Sequence, residues 1–257
     1  MKVHHVVEGP DNGEVVVLSG SIGSNLNMWN PQVGPLTEAG YRVVRYDQRG
    51  HGRTPVPESP CTLADLGGDV VELLDELGVE RAHFVGLSLG GMTGMWLGIH
   101  RPERIASLVL CCTSPKLGTK ESWEDRARAA RTQGMTTIAD SSIQRWFTED
   151  WRSANPQEAR EYHHMTAATP AEGYAACCAA IGSMDVLGDL PRVSAPTLVI
   201  SGADDPATPP EQHGKLIAAE VPGARHEVVE HAAHLGNVEQ PARFTELILG
   251  HLAATAR

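Results

Sequence analysis

Gly86-Leu87-Ser88-Leu89-Gly90 decides the reading of this chain. The glycine–x–serine–x–glycine form is that of a nucleophile elbow. Its turn is so tight that the strand before it and the helix after it nearly touch the serine's backbone. A serine hydroxyl is a poor nucleophile unless such a turn exposes it beside a base. The motif is short and the chain holds 26 glycines, so the flanks must decide. Upstream, Arg81-Ala82-His83-Phe84-Val85 reads as a short strand. Downstream, Met92, Met95, Trp96 and Ile99 recur at helical spacing until His100-Arg101-Pro102 stops the run.

Working outward, residues 3–7 and 15–18 read as strands joined by the turn Pro10-Asp11-Asn12-Gly13, and 41–46 is another. Residues 63–77 form an amphipathic helix with Leu66, Val70, Leu73, Leu74 and Leu77 on one face. The apolar stretch 105–111 follows the elbow helix as a strand. This βαβ rhythm predicts an α/β fold, a mainly parallel sheet with helices on both faces. From 116 to 185 the rhythm breaks into helical composition, then resumes with a strand at 197–201, a helix at 210–219, a strand at 227–229 and a final helix at 242–253. The expected organisation is a core of residues 1–115 and 186–257 with a helical lid, 116–185, over the sheet's carboxyl edge, where open α/β sheets bind ligands.

Composition narrows the function. The 257 residues suffice for a large buried core. A net charge of −11 argues against nucleic-acid binding and against docking on anionic membranes. No apolar run approaches the roughly 18 residues that span a bilayer, and Met1-Lys2-Val3-His4-His5 lacks the apolar core of a signal peptide, so a cytoplasmic protein is expected. Cys61 and the adjacent pairs Cys111-Cys112 and Cys177-Cys178 show neither a disulfide framework nor a Cys-x-x-Cys metal spacing; they read as reduced, mostly buried small hydrophobes.

An activated serine needs a base, and the base an orienting acid. His234, in the loop Glu230-His231-Ala232-Ala233-His234-Leu235-Gly236 between the last strand and helix, is the best base, with His231 as local competitor. His51 reads as architectural, as do His4 and His5, which are expected to be exposed. The acid should follow a strand and precede the histidine, and in Ser201-Gly202-Ala203-Asp204-Asp205-Pro206 either aspartate could serve. The oxyanion requires two N–H groups, one from Leu89 at the helix N-terminus and one from the loop Leu18-Ser19-Gly20-Ser21-Ile22-Gly23, where Ser21 is the candidate. A phosphate cradle in that loop is disfavoured by the lack of a P-loop lysine or a Rossmann fingerprint. The His231/His234 spacing has no third cluster of ligands to make a metal site.

These residues resemble the α/β-hydrolase superfamily along nearly the whole chain. Arg45-Tyr46-Asp47-Gln48-Arg49-Gly50-His51-Gly52 looks like its strand-end block. Gly202-Ala203-Asp204-Asp205-Pro206-Ala207-Thr208-Pro209 resembles its acid loop, which implies Asp205, and Ala233-His234-Leu235-Gly236-Asn237-Val238-Glu239-Gln240-Pro241 its histidine loop, which favours His234. Within the superfamily the chain is most similar to 3-oxoadipate enol-lactonases of the β-ketoadipate pathway. The similar segments are 18–23, 91–98, Arg145-Trp146-Phe147-Thr148 and 173–180. Ser19-Gly20 replaces the superfamily's usual His-Gly, and enol-lactonases also tend to lack that histidine.

The resemblance implies hydrolysis of 3-oxoadipate enol-lactone, a small anionic lactone, through an acyl-serine on Ser88, with no metal or organic cofactor. Long-range steering of an anion onto a negative protein is unfavourable, so a local cation is expected. Residues 116–185 hold eight Lys/Arg against ten Asp/Glu, a less acidic stretch than the remainder. Arg145 beside Trp146, and Arg131, are the candidates, with Trp146 as an apolar wall. A general carboxylesterase or acyltransferase would share the triad with a larger pocket. A non-catalytic receptor of this fold would usually lose the triad chemistry, whereas all three residue types are present.

Overall fold

The computed structural model describes residues 1–255, leaving the last two residues of the expected core outside the described residues. Among the described residues one sheet holds seven strands: β1 (His5–Glu8), β2 (Val15–Ser19), β3 (Arg42–Tyr46), β4 (Ala82–Leu87), β5 (Ile105–Cys111), β6 (Thr197–Gly202) and β7 (Arg225–Val229). Their spatial order is β1-β3-β2-β4-β5-β6-β7. β1 pairs antiparallel with β3, and every other pair is parallel. The chain leaves β2 toward β3 on one side and β4 toward β5 on the other. The loops after β2 and β4 therefore diverge, and a crevice opens at the carboxyl edge between them.

Helices cover both faces. α1 (Asn30–Glu38) and α11 (Pro241–Thr255) pack together on one face, α2 (Leu63–Glu76) and α3 (Leu89–His100) on the other. The strand alternation shows in the core: Val15 and Val17 join the α2/α3 side, whereas Val16 and Leu18 join the α1/α11 side. α2 starts at a capping box in which Thr62 and Asp65 satisfy each other's backbone N–H groups. α9 (Gly214–Glu220) packs on β6 and β7, and the short α10 (Gly236–Glu239) against α1 and α11. Between β5 and β6 lie α4 (Lys120–Gln133), α5 (Met135–Trp146), α6 (Glu149–Ala154), α7 (Pro156–Ala167) and α8 (Ala171–Ser183), with no strand among them.

Three local expectations change. The helix expected over 210–219 begins only at Gly214: His213, at φ −126° and ψ −68°, leaves helical geometry, and Lys215 N–H reaches back five residues to the Pro210 carbonyl at 2.9 Å. α1 was not foreseen: Pro31 suits a first turn, but Gly34 and Pro35 argue against a helix continuing through them. It forms because Leu36 packs among residues of α11 and buried Gln32 donates to the Asn237 carbonyl at 2.9 Å. His4 and His5 are half-buried rather than exposed, and His4 Nδ1 lies 2.8 Å from Asp47 Oδ2. All five cysteines are buried and free.

Candidate active site

Ser88 sits between β4 and α3 at φ 57° and ψ −115°, a left-handed conformation that a residue with a Cβ adopts only under constraint. The constraint is visible. A Cβ on Gly86 would collide with the Gly90 carbonyl, and one on Gly90 with the Ser19 carbonyl, so both positions require glycine. Ser88 N–H donates to the Cys111 carbonyl at 3.0 Å, Thr113 Oγ1 donates to the Ser88 carbonyl at 2.7 Å, and Gly90 N–H donates to the Gly20 carbonyl at 3.0 Å. The turn is thus tied to the strand ends on either side, including the loop after β2.

His234 and Asp205 come from the loops after β7 and β6. His234 Nδ1 lies 2.8 Å from Asp205 Oδ2, with both residues buried. Asp205 also accepts from the N–H groups of Ala207 and Thr208 at 2.8 and 3.1 Å and from Thr208 Oγ1 at 2.6 Å. Burial alone would raise its carboxyl, yet His234 and the Thr208 hydrogen bonds hold it below the ordinary aspartate value. An ionised, fully bonded carboxylate fixes a proton on His234 Nδ1 and leaves Nε2 free to accept one. Asp204 is exposed, and so is His231, which lines a different cleft from His234. The two choices the residues alone left open or contested therefore separate by burial.

Ser88 and His234 open on one cavity of about 350 Å³ with Ser21, Trp123, Arg126, Arg145 and Trp146 among its walls. They make no hydrogen bond to each other among the described residues; such bonds often close only around substrate. Leu89 is the first residue of α3, where a backbone N–H has no partner within the helix. Ser21 N–H donates to Met28 Sδ at 3.2 Å, a weak acceptor. The Ser21 loop is braced from below: Gln48 Nε2 donates to the Gly20 carbonyl at 2.5 Å and Gly23 N–H to His51 Nε2 at 2.9 Å. Burial pushes the His51 imidazole down, keeping it a neutral acceptor, in line with an architectural part.

The cations divide. Arg145 reaches the cavity and makes no ion pair or hydrogen bond among the described residues. Burial, and then the nearby Arg126, lower its guanidinium to about 10. Arg131 is not brought in: it is exposed, bonded through Nη2 to Glu172 Oε2 at 2.8 Å, and borders a separate hollow between α4 and α8. Arg126, which sequence reasoning passed over, takes that place. Five residues on a helix turn through about 500°, so Arg126 and Arg131 point about 140° apart around α4. Arg126 Nε donates to Tyr174 Oη at 2.5 Å, and its guanidinium stands 5.6 Å from the Trp123 ring centroid. The three-residue spacing of Trp123 and Arg126, which puts both on one helix face, was the available signal.

A strained serine at a strand–helix turn, backed by a buried histidine–aspartate pair, is the arrangement of a hydrolase. The model of the alpha/beta hydrolase family matches residues 15–247. The chain belongs to the alpha/beta hydrolase family. A curated member, 3-oxoadipate enol-lactonase 1 of Acinetobacter baylyi, is 39% identical over 244 residues, 95% of this chain and 90% of its own. The enol-lactonase of Burkholderia xenovorans LB400 superposes with a TM-score of 0.95 at 40% identity, covering 98% of this chain and 96% of that one. A thermophilic esterase of Thermogutta terrifontis, solved with malate bound, superposes at 0.93 with 28% identity over 99% and 95% of the two chains. The resemblance to enol-lactonases read from the motifs is thus matched over nearly the full length. Among the described residues, no helix is long and apolar enough to cross a membrane.

Proposed function

We propose that the protein hydrolyses 3-oxoadipate enol-lactone to 3-oxoadipate in cytoplasmic aromatic catabolism, with residues 116–185 as the lid. The observation that carries this reading is one cavity joining Ser88 and His234 to two guanidiniums that have no carboxylate partner among the described residues. Ser88 Oγ attacks the lactone carbonyl while His234 Nε2 takes its proton. Asp205 stabilises the imidazolium and holds its orientation. The N–H of Leu89 and that of Ser21, drawn from its weak thioether contact, receive the oxyanion.

Collapse of the tetrahedral intermediate expels the ring oxygen as an enolate, delocalised and soon a ketone, so it needs little protonation from His234. Water activated by His234 then attacks the acyl-serine and releases the second carboxylate. Arg145 and Arg126 hold the carboxymethyl carboxylate, and Trp146 lies against the ring. A guanidinium can grip a carboxylate through two parallel N–H bonds, which sets the orientation as well as the charge. The family resemblance at 39–40% identity supports the lactone as substrate. The test is a spectrophotometric assay of purified protein with fresh enol-lactone. Rapid loss of its absorbance is expected, and turnover of simple esters alone would return the reading to a general carboxylesterase.

A further inference from the structure

Glu239 is a buried acid that the chemistry above does not use, with 6% of its surface exposed. Its carboxylate faces two separate segments. Oε1 accepts from both Thr148 N–H and Thr148 Oγ1 at 2.8 Å, and Oε2 accepts from Ala233 N–H. Thr148 caps the N-terminus of α6 and lies two residues after Trp146, on the chain that brings Arg145 and Trp146 to the cavity. Ala233 immediately precedes His234. A second tie runs alongside, from Leu235 N–H to the Trp146 carbonyl at 2.9 Å. The chain before and after His234 is therefore tied to the helical wall of the cavity, through Glu239 on one side and directly on the other.

We propose that Glu239 is a positioning residue for His234. It clamps the α5–α6 joint to the histidine loop, so the wall that receives the substrate and the imidazole that serves Ser88 are set in register together. This rests on the reading of His234 as the base. Three donors converge on one carboxylate, and an ionised carboxylate accepts from all of them. A glutamine cannot, because its –NH2 must face one of the two segments, donor against donor. A base displaced by about an ångström loses on the order of a hundredfold in rate.

The test compares Glu239→Gln, Thr148→Val and Thr148→Ser with wild type on the enol-lactone and on 4-nitrophenyl acetate, a neutral ester. Proton NMR follows the downfield resonance of the His234 Nδ1–H that faces Asp205. Glu239→Gln should lower kcat on both substrates by about 10- to 100-fold with KM little changed, and shift or broaden that resonance. Thr148→Val should do the same more weakly, and Thr148→Ser, which keeps the hydroxyl donor, should restore it. A variant that folds normally with kcat and resonance both unmoved overturns the proposal, as does a loss confined to the lactone, which would make Glu239 a lid support only. If Glu239→Gln fails to fold, the Thr148 pair decides by the same criteria. Should wild type hydrolyse neither substrate, the functional reading fails, and the resonance still tests whether Glu239 sets the imidazole.

Discussion

The elbow supplies the candidate serine and the helical segment the cations of the cavity, and they come by their residues differently. At the elbow, Ser88 is where it is because its neighbours leave the chain no other course. Gly86 and Gly90 permit a contact that no side chain allows, and the turn follows from five consecutive residues. In residues 116–185, Arg126, Arg131 and Arg145 are alike as residue types and all lie on helices. Glu172 claims Arg131 at the surface, while Arg126 and Arg145 turn inward without a carboxylate. Local strain singles out a candidate nucleophile in the sequence, whereas a cation's role depends on whether a distant part of the fold offers it a counter-ion.

The sharpest way to break the elbow half is Ser88→Ala. Turnover of the lactone should fall by several orders of magnitude, up to about 10⁶-fold, with Tm and circular dichroism unchanged. Near-normal kcat would remove the serine mechanism altogether.

Asp205→Asn comes next, with a loss of up to about 10⁴ in kcat because the His234 tautomer is no longer fixed, while Asp204→Asn should stay near wild type. The same residue has a pH signature. Its folded carboxyl titrates below the ordinary value of 3.8, so its contribution to stability is complete above that value and is lost as pH falls through the lower folded one. Thermal melts below about pH 4 should fall more steeply for wild type than for Asp205→Asn. Equal slopes would mean the pair is not formed in solution.

The helical half is tested by substrate charge. Arg145→Met and Arg126→Met should each cost about 1.5–3 kcal/mol in kcat/KM for the acid and spare its methyl ester. Arg131→Met should leave both substrates alike, since Arg131 sits outside the cavity in an exposed pair with Glu172. Equal losses on acid and ester would turn Arg126 and Arg145 into supports of the helical segment.

The smallest effect is on stability. Burial and then Arg126 lower the Arg145 guanidinium to about 10, so it stays protonated at neutral pH, but the fold partly desolvates that charge without giving it a counter-ion. Arg145→Met should then raise Tm by a few degrees, the shift that about 1 kcal/mol produces in a domain of this size. A lower Tm would mean that the guanidinium is satisfied in solution by a partner of its own.

What could be read from the sequence alone was what short-range rules govern. The strand–turn–helix around Ser88, the βαβ alternation, the helical stretch between β5 and β6 and the loops holding Asp205 and His234 follow from periodicity, glycine placement and chain order. Between the adjacent Asp204 and Asp205 the residues alone left the choice open, and His231 competed with the preferred His234. Folding buries Asp205 against His234 and leaves Asp204 and His231 in solvent. α1 escaped because Gly34 and Pro35 inside it speak against a helix, which packing against β3 and α11 stabilises. Arg126 and the Glu239 clamp escaped because their partners lie 48 residues away at Tyr174 and 91 residues away at Thr148. Backbone geometry acts over a few residues and leaves its mark in the sequence. Which face of a helix turns inward, and which charge meets a counter-ion, is decided by long-range packing, and only the tertiary structure records it.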